Sequence, residues 1–266
     1  MKTLAFLRKT CLENLRDWKI LSLSLVFTPF FVYLMYAYFH ASPATQTLIE
    51  TVQAVEGLGG LSEFDLYVPA LLVLAIIMVL FTSAASLIKE VDKGTMSRLM
   101  LSKLSTVEFL GAVSISQVVI GLVTLLLAYA AALSVGYRPH GSLAAVLVVG
   151  AVSALAVVAV SVLVAAFLNT IFELLTVGCF PFFLLMFFSD AMMPLPKIRL
   201  FHLAGHVFNI SDVLPTSLTT RAFNAILSNN AGLPDVWFEV TAIIVLTAGY
   251  FALGTWLFKR RHMRVS

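Results

Sequence analysis

Few side chains in this sequence are of a type and spacing that do chemistry. His202 and His206 stand four apart, so on a helix they share one face. With Asp212 nearby they form the one candidate set of metal ligands. The simpler alternative, two interfacial histidines on an external helix, is preferred, and no resident metal is expected. Cys11 and Cys179 lie in a basic stretch and an apolar run respectively, which suggests no disulfide framework. Glu173 opens an apolar run. It either salt-bridges a cytoplasmic partner or is an ordinary helix-start carboxylate favoured by the dipole. Asp190 closes the same run, and either lines an exit path or ends the helix. No G-x-x-x-x-G-K-[ST] loop occurs, so the chain has no P-loop for ATP. Every Asp, Glu, Lys, Arg and His falls outside the long apolar runs. Intramembrane charges usually mark proton or ion pathways, so their absence argues against a proton-coupled transporter and an intramembrane aspartyl protease. A Na⁺ site built from backbone carbonyls stays open. No catalytic residues are expected.

The elements that position these groups are membrane helices. The 266 residues are 60% hydrophobic and 12% charged, against about half and a quarter in soluble domains, and the mean hydropathy is +0.98. So little polar surface cannot coat a water-soluble globule of this size. A crossing needs roughly 20 apolar residues. Candidate spans are Ile20–Phe39, Leu66–Ile88, Phe109–Val135, Leu143–Leu168, Leu174–Phe188 and Val240–Phe258. The fifth is short, and Pro181 is expected to kink it. The start of the sequence lacks the pattern of a cleavable signal. All Lys and Arg except Arg138, Lys197, Arg199 and Arg221 fall in the first 19 residues, the 89–103 loop or the tail after span six. The positive-inside rule therefore sets both termini and that loop in the cytoplasm. The segment from His40 to Asp65 has acids and no Lys or Arg, as an external loop should. The fold class expected is an all-α membrane protein of six spans, a single membrane domain over 1–266.

Three segments stand apart. In residues 1–19, Leu4, Leu7, Cys11, Leu15 and Trp18 recur at helical spacing among charged residues. That pattern fits an amphipathic helix on the cytoplasmic interface, either facing a partner or merely anchoring span one. The 189–239 segment is long and punctuated by Pro194, Pro196, Pro215 and Pro234. Within it Ile198–Ile210 and Thr216–Leu227 read as two short amphipathic helices, expected to dip into the outer leaflet as a re-entrant pair. An ordinary external loop is the alternative. On span four, Gly150, Ala154, Ser161 and Ala165 suggest close helix packing.

The third segment, 89–108, joins spans two and three. Asp92 or Thr95 caps a short helix whose apolar face is Met96, Leu99, Met100 and Leu104. A push on that helix reaches both spans. Here the sequence resembles the permease subunits of ABC exporters of the ABC-2 type. Glu90, Asp92, Gly94 and Thr95 are similar to that family's E-x-E-x-G-T motif, with Asp for the second Glu. Leu99 matches a leucine of the helix that follows, and Glu108 and Gly111 match the residues opening the third span. Lys103 stands where the family often has proline. Arg16 and Asp17 match the pair ending the family's N-terminal helix. Phe187, Phe188, Asp190, Met193 and Pro194 resemble its stretch after span five, with Asp190 where glycine is usual. Pro215 and Arg221 match a proline followed by a helix bearing arginine.

The resemblance implies half of a membrane pore. Two copies, or two related chains, would pair in the cell inner membrane and bind two ATPase subunits, which carry the ATP and Mg. Residues Glu90 to Leu104, Glu108, Gly111, Arg16 and Asp17 would face the ATPase. The residues from Phe187 to Pro194, with Pro215 and Arg221, would line the path or its outer gate. The cargo expected is a drug, lipid or other amphiphile, or a polysaccharide. No nucleic acid is expected as partner. Two other classes remain, a channel working without an ATPase and a membrane anchor subunit that transports nothing.

Overall fold

The computed structural model describes residues 18–41, 63–92, 105–189, 199–203 and 206–262. Residues Arg16, Asp17, Gly94, Thr95, Leu99, Asp190, Met193 and Pro194 lie outside them, as do most of the expected N-terminal helix and the expected helix of the 89–108 loop. The described chain is mostly helical. Helix α1 spans Trp18–Ala41, α2 Glu63–Ile77, α3 Val79–Asp92, α4 Thr106–Ser134 and α5 Leu143–Ala165. Helices α6 (Ile171–Val177) and α7 (Cys179–Phe187) follow. Strands β1 (Arg199–Leu203) and β2 (His206–Asn209), a 3-10 turn (Ile210–Val213), α8 (Pro215–Asn229) and α9 (Trp237–His262) complete the order.

By length and composition, four helices can cross a membrane: Phe64–Asp92, taking α2 and α3 together, then α4, α5 and α9. Ser24–His40 and Ile171–Phe187 are shorter apolar helices. The six apolar runs of the sequence each find a helix, and two of them are broken. The second is interrupted at Met78, whose N–H still reaches the Leu74 carbonyl at 3.1 Å. The fifth breaks at Gly178, not at Pro181. The cause is still the proline. Its ring crowds the carbonyl four residues back and it has no N–H to offer. That carbonyl belongs to Val177, the last residue of α6.

Among the described residues two large cores run along the bundle, beside a small third cluster of Ala156, Leu218 and Ile243. The larger gathers α2, α4, α5 and α8 around Leu72, Ile76, Leu125, Val149, Val157 and Phe223, all essentially without exposure. The second lies at the end where α3 stops and α4 starts. It joins Leu87 and Ile88 of α3, Phe109 and Leu110 of α4, Ala165 and Leu168 at the end of α5, Leu174 of α6 and Phe258 of α9. Buried hydroxyls stitch the helices between these cores. Ser83 of α3 and Ser161 of α5 share a hydrogen bond, and Gln117 of α4 donates to Ser86 of α3 at 2.9 Å. Such bonds contribute about 0.6 kcal/mol each on average within membranes.

One expected element is replaced. The stretch read as a helix over Ile198–Ile210 is an antiparallel β-hairpin followed by the 3-10 turn, so the chain is not purely α-helical. Phe201, Val207 and Phe208 are strong strand formers, and the sequence has a glycine, Gly205, a poor helix former, within the stretch. The helix expected at Thr216–Leu227 is present as Pro215–Asn229.

Candidate functional site

At the Asp92/Thr106 end, local chemistry fixes how the chain leaves and re-enters the bundle. Ser105 accepts from the Glu108 N–H at 3.2 Å, and Glu108 accepts from the Ser105 N–H at 2.9 Å. This reciprocal capping box satisfies two otherwise orphaned donors and fixes the first turn of α4. A related arrangement, one residue wider, starts α6. Thr170 accepts from the Glu173 N–H at 3.2 Å, and Glu173 accepts from the Asn169 N–H at 2.7 Å. Glu173 thus acts as a cap within its own chain. Glu90 is half-buried, while Asp92 and Glu108 are exposed. Gly111 faces open space, since a Cβ there would meet nothing within 4 Å. Among the described residues, no neighbour requires glycine at that position. Arg261 at the end of α9 lies over the Phe167 ring, 4.8 Å from its centroid, a cation–π contact that holds α9 against the end of α5. The bundle side of this end is the second core. Both helices flanking the 93–104 loop are rooted in it, and α5, α6 and α9 share it.

The opposite end is built on α8. Pro215 sits in the first turn of that helix, where its missing N–H and fixed φ do no harm. The first six residues of α8, Pro215 to Thr220, are all buried, although four are Thr or Ser. Their hydroxyls are satisfied. Thr216 donates to the Leu185 carbonyl of α7 at 3.1 Å. Thr219 lies 2.7 Å from the Ser153 hydroxyl of α5, and Thr220 donates to the Thr216 carbonyl at 2.9 Å. The far end of α8 is held by the His140 N–H, which reaches the Leu227 carbonyl at 3.2 Å. Gly141 beside it leaves no room for a side chain, because a Cβ would fall 2.1 Å from the Ile226 oxygen. Tyr137 in the same loop is buried. That burial first, then the nearby Tyr129 and Asp65, raises its phenol above the ordinary value of 10.0.

A charge network crowns α8. Asp212, with no exposure, accepts from the Asn209 N–H at 2.8 Å and from Ser217 at 3.1 Å. It also accepts from Arg221 at 2.7 Å. The other arm of the Arg221 guanidinium donates to Glu239 at 3.3 Å. A buried carboxylate must be paired and hydrogen-bonded to be tolerated, and Asp212 meets both conditions. Of the residues singled out in the sequence, Pro215 and Arg221 meet here. Phe187 and Phe188, at the end of α7, are exposed. The sequence reading missed Glu239 altogether and took Asp212 only as a partner of the histidines. One signal was available: Glu239 is an acid in the first turn of a helix, where the dipole favours it.

The histidine pair does not survive as a helical motif. His202 pairs with Val207 and His206 with Leu203 across the hairpin, so the two hold alternating register positions. Among the described residues, no three His, Cys, Asp or Glu come together as a metal would need. The small residues of α5 do serve close packing. Ala154 and Ala165 have no exposure, Ser161 bonds α3, and a Cβ on Gly150 would meet Leu125 at 2.3 Å.

The sequence profile of the ABC-2 type transporter family matches residues 1–227, from the N-terminus through α8 to Leu227. No curated protein matches the chain. A bundle of apolar helices with a profile covering most of its length leads to one conclusion: the chain belongs to the ABC-2 type transporter family, the membrane permeases of ABC transporters.

Proposed function

We propose that this chain is the permease subunit of an ATP-driven exporter. Two copies, or this chain and a related one, form the translocation path and couple to two separate ATPase subunits. The observation that carries this is the core at the Asp92/Thr106 end. Helices α3 and α4 enter it from either side of the 93–104 loop, and α5, α6 and α9 meet there. Force applied to the loop reaches five helices through packed side chains, because such interiors are dense and transmit strain. The exposed Asp92 and Glu108 and the open surface at Gly111 are what a docked partner would use.

On this proposal both termini and the loop face the cytoplasm, and α1 and α6–α7 complete six spans. At about 1.5 Å per residue, the 17 residues of Ile171–Phe187 extend about 25 Å, slightly short of a hydrocarbon core of about 30 Å. They would therefore need local thinning of the bilayer or cover from a second copy. The exposed phenylalanines of α6–α7 (Phe172, Phe180, Phe183, Phe187) suit an amphiphilic cargo such as a drug or lipid. The nucleotide cycle then shifts the populations of inward-open and outward-open states.

The test is export read as ATP-dependent uptake of cargo into inside-out vesicles containing the permease and its ATPase. Glu90→Ala and Gly94→Val are expected to leave ATP hydrolysis measurable while reducing export severalfold. Wild-type export in both variants would contradict the coupling assignment. ATP-independent conduction by the purified chain would favour a channel. A partner complex without flux would favour an anchor subunit.

A further inference from the structure

We propose that the inner end of α9 binds an anionic phospholipid of the cytoplasmic leaflet, its phosphate held by Arg260 on the Trp256 ring with Lys259 beside it. This rests on the reading of that end as cytoplasmic.

Helix α9 itself sets the depth. It is the least covered of the four long helices. Trp237, Ile244, Val245, Leu253 and Trp256 are all exposed, and their positions place them on one broad side of the helix. The two tryptophans bracket that side, 19 positions apart. At 1.5 Å per residue they are about 28 Å apart, close to a hydrocarbon core of about 30 Å. Tryptophan favours the two membrane interfaces. With Trp256 at the inner boundary, Lys259 and Arg260 stand in the headgroup layer just beyond it.

The chemistry at that boundary suits a phosphate. The Arg260 guanidinium lies over the Trp256 ring, 5.4 Å from its centroid. Helix side chains lean toward the N-terminus, so Arg260 folds back to the boundary. Stacking occupies the face of the guanidinium and leaves the N–H groups on its edge for an anion. It also fixes the fork beforehand, so less freedom is lost on binding. Among the described residues no carboxylate pairs with Lys259, Arg260 or Arg261. Phe258 is buried in the second core, so Arg260, two positions on, stands on the side away from it. Arg261 is different, because it lies over Phe167 at the end of α5. Charge and shape together select the occupant. A phospholipid sets its phosphate on Arg260 and Lys259 and its acyl chains along Leu253, Val245 and Ile244. A soluble phosphate would leave that apolar side uncovered. A second copy presenting the same side would bring like charges together.

The experiment uses the full chain in phosphatidylcholine vesicles, with Trp18→Phe and Trp237→Phe leaving Trp256 as the one tryptophan. Bromine on an acyl chain quenches a tryptophan that the lipid touches. Brominated phosphatidylglycerol and brominated phosphatidylcholine are compared at the same low fraction. The phosphatidylglycerol should quench as if bound about fivefold more tightly, the preference that one juxtamembrane cation confers. Arg260→Gln should bring the two lipids close to parity. Arg260→Lys keeps the charge without the fork and should lose at least half of the preference, whereas Arg261→Lys should keep it. Equal quenching by the two lipids in the parent overturns the site. Full preference in Arg260→Lys, whatever Arg260→Gln does, reduces the effect to diffuse charge and also overturns it. A separate measurement tests the leaflet. Ser266→Cys, with Cys11→Ser and Cys179→Ala, should react with a membrane-impermeant maleimide in inside-out vesicles and stay protected in intact cells. Reaction in intact cells would overturn the cytoplasmic placement, even with the lipid preference intact in symmetric vesicles.

Discussion

Two carboxylates, Glu108 and Asp212, hold their places for different physical reasons, and each yields a test. Glu108 is exposed and closes a capping box with Ser105. Glu108→Ala should lower the thermal midpoint in detergent by opening the box, while Glu108→Gln keeps it and stays near wild type. If Glu108→Gln is stable yet loses ATPase coupling, its charge serves the partner as well as the cap. Asp212 is buried and depends on Arg221. Arg221→Gln leaves that charge with two neutral donors and should destabilise by about 2 kcal/mol. That lies below the usual range for breaking a buried pair, because Arg221 is about a third exposed. A thermal midpoint unchanged in Arg221→Gln would show that the pair adds nothing. Arg221 stood out in the sequence by its place after a proline in a family-like stretch. Its partners were not, because Asp212 and Glu239 lie nine and eighteen residues away on other elements, a juxtaposition that only tertiary packing creates. The histidine pair failed for the converse reason. A spacing of four means a shared face only on a helix, and the segment is a hairpin.

Among the elements, close approach decides where glycine is needed. A Cβ on Gly121 of α4 would come 2.9 Å from Val79 and 3.2 Å from Ala154, the point where α3, α4 and α5 meet. Gly249 of α9 faces open space. Gly121→Val should therefore destabilise by about 1–3 kcal/mol through overpacking, measured as loss of folded protein on heating in detergent, whereas Gly249→Val should be close to neutral. Equal behaviour of the two would refute the packing of α4 against its neighbours. Pro181 offers a second test. Pro181→Ala restores an N–H and removes the ring from the Val177 carbonyl, so α6 and α7 should join into one helix, visible as new hydrogen-exchange protection at position 181. Persistence of the break would assign it to Gly178 instead. The long apolar helices were readable because runs of twenty or more apolar residues admit few alternatives. The break at Gly178 was displaced from the expected site because a proline acts on the carbonyl four residues before it. The hairpin was missed because a short segment with both helical and alternating apolar spacing is ambiguous by periodicity.

The whole molecule is a bundle with two distinct ends. One gathers five helices around the ends of α3 and α4, and the other is organised by α8 and its charge network. Family membership follows from the profile match over residues 1–227, and the resemblance was already visible in the order of its motifs, Glu90 through Gly111 and then Pro215 to Arg221. A chain without a P-loop motif that moves cargo uphill needs a companion that hydrolyses nucleotide. The most direct measurement is to purify the full chain from its native membrane in mild detergent, and to assay the preparation for a co-purifying P-loop protein and for ATP hydrolysis. The proposal predicts an ATPase present in a one-to-one ratio with the permease, bound in the wild type and lost or uncoupled when Glu90 and Gly94 are changed. Recovery of the permease alone, transporting or conducting without any nucleotide-hydrolysing subunit, would contradict it.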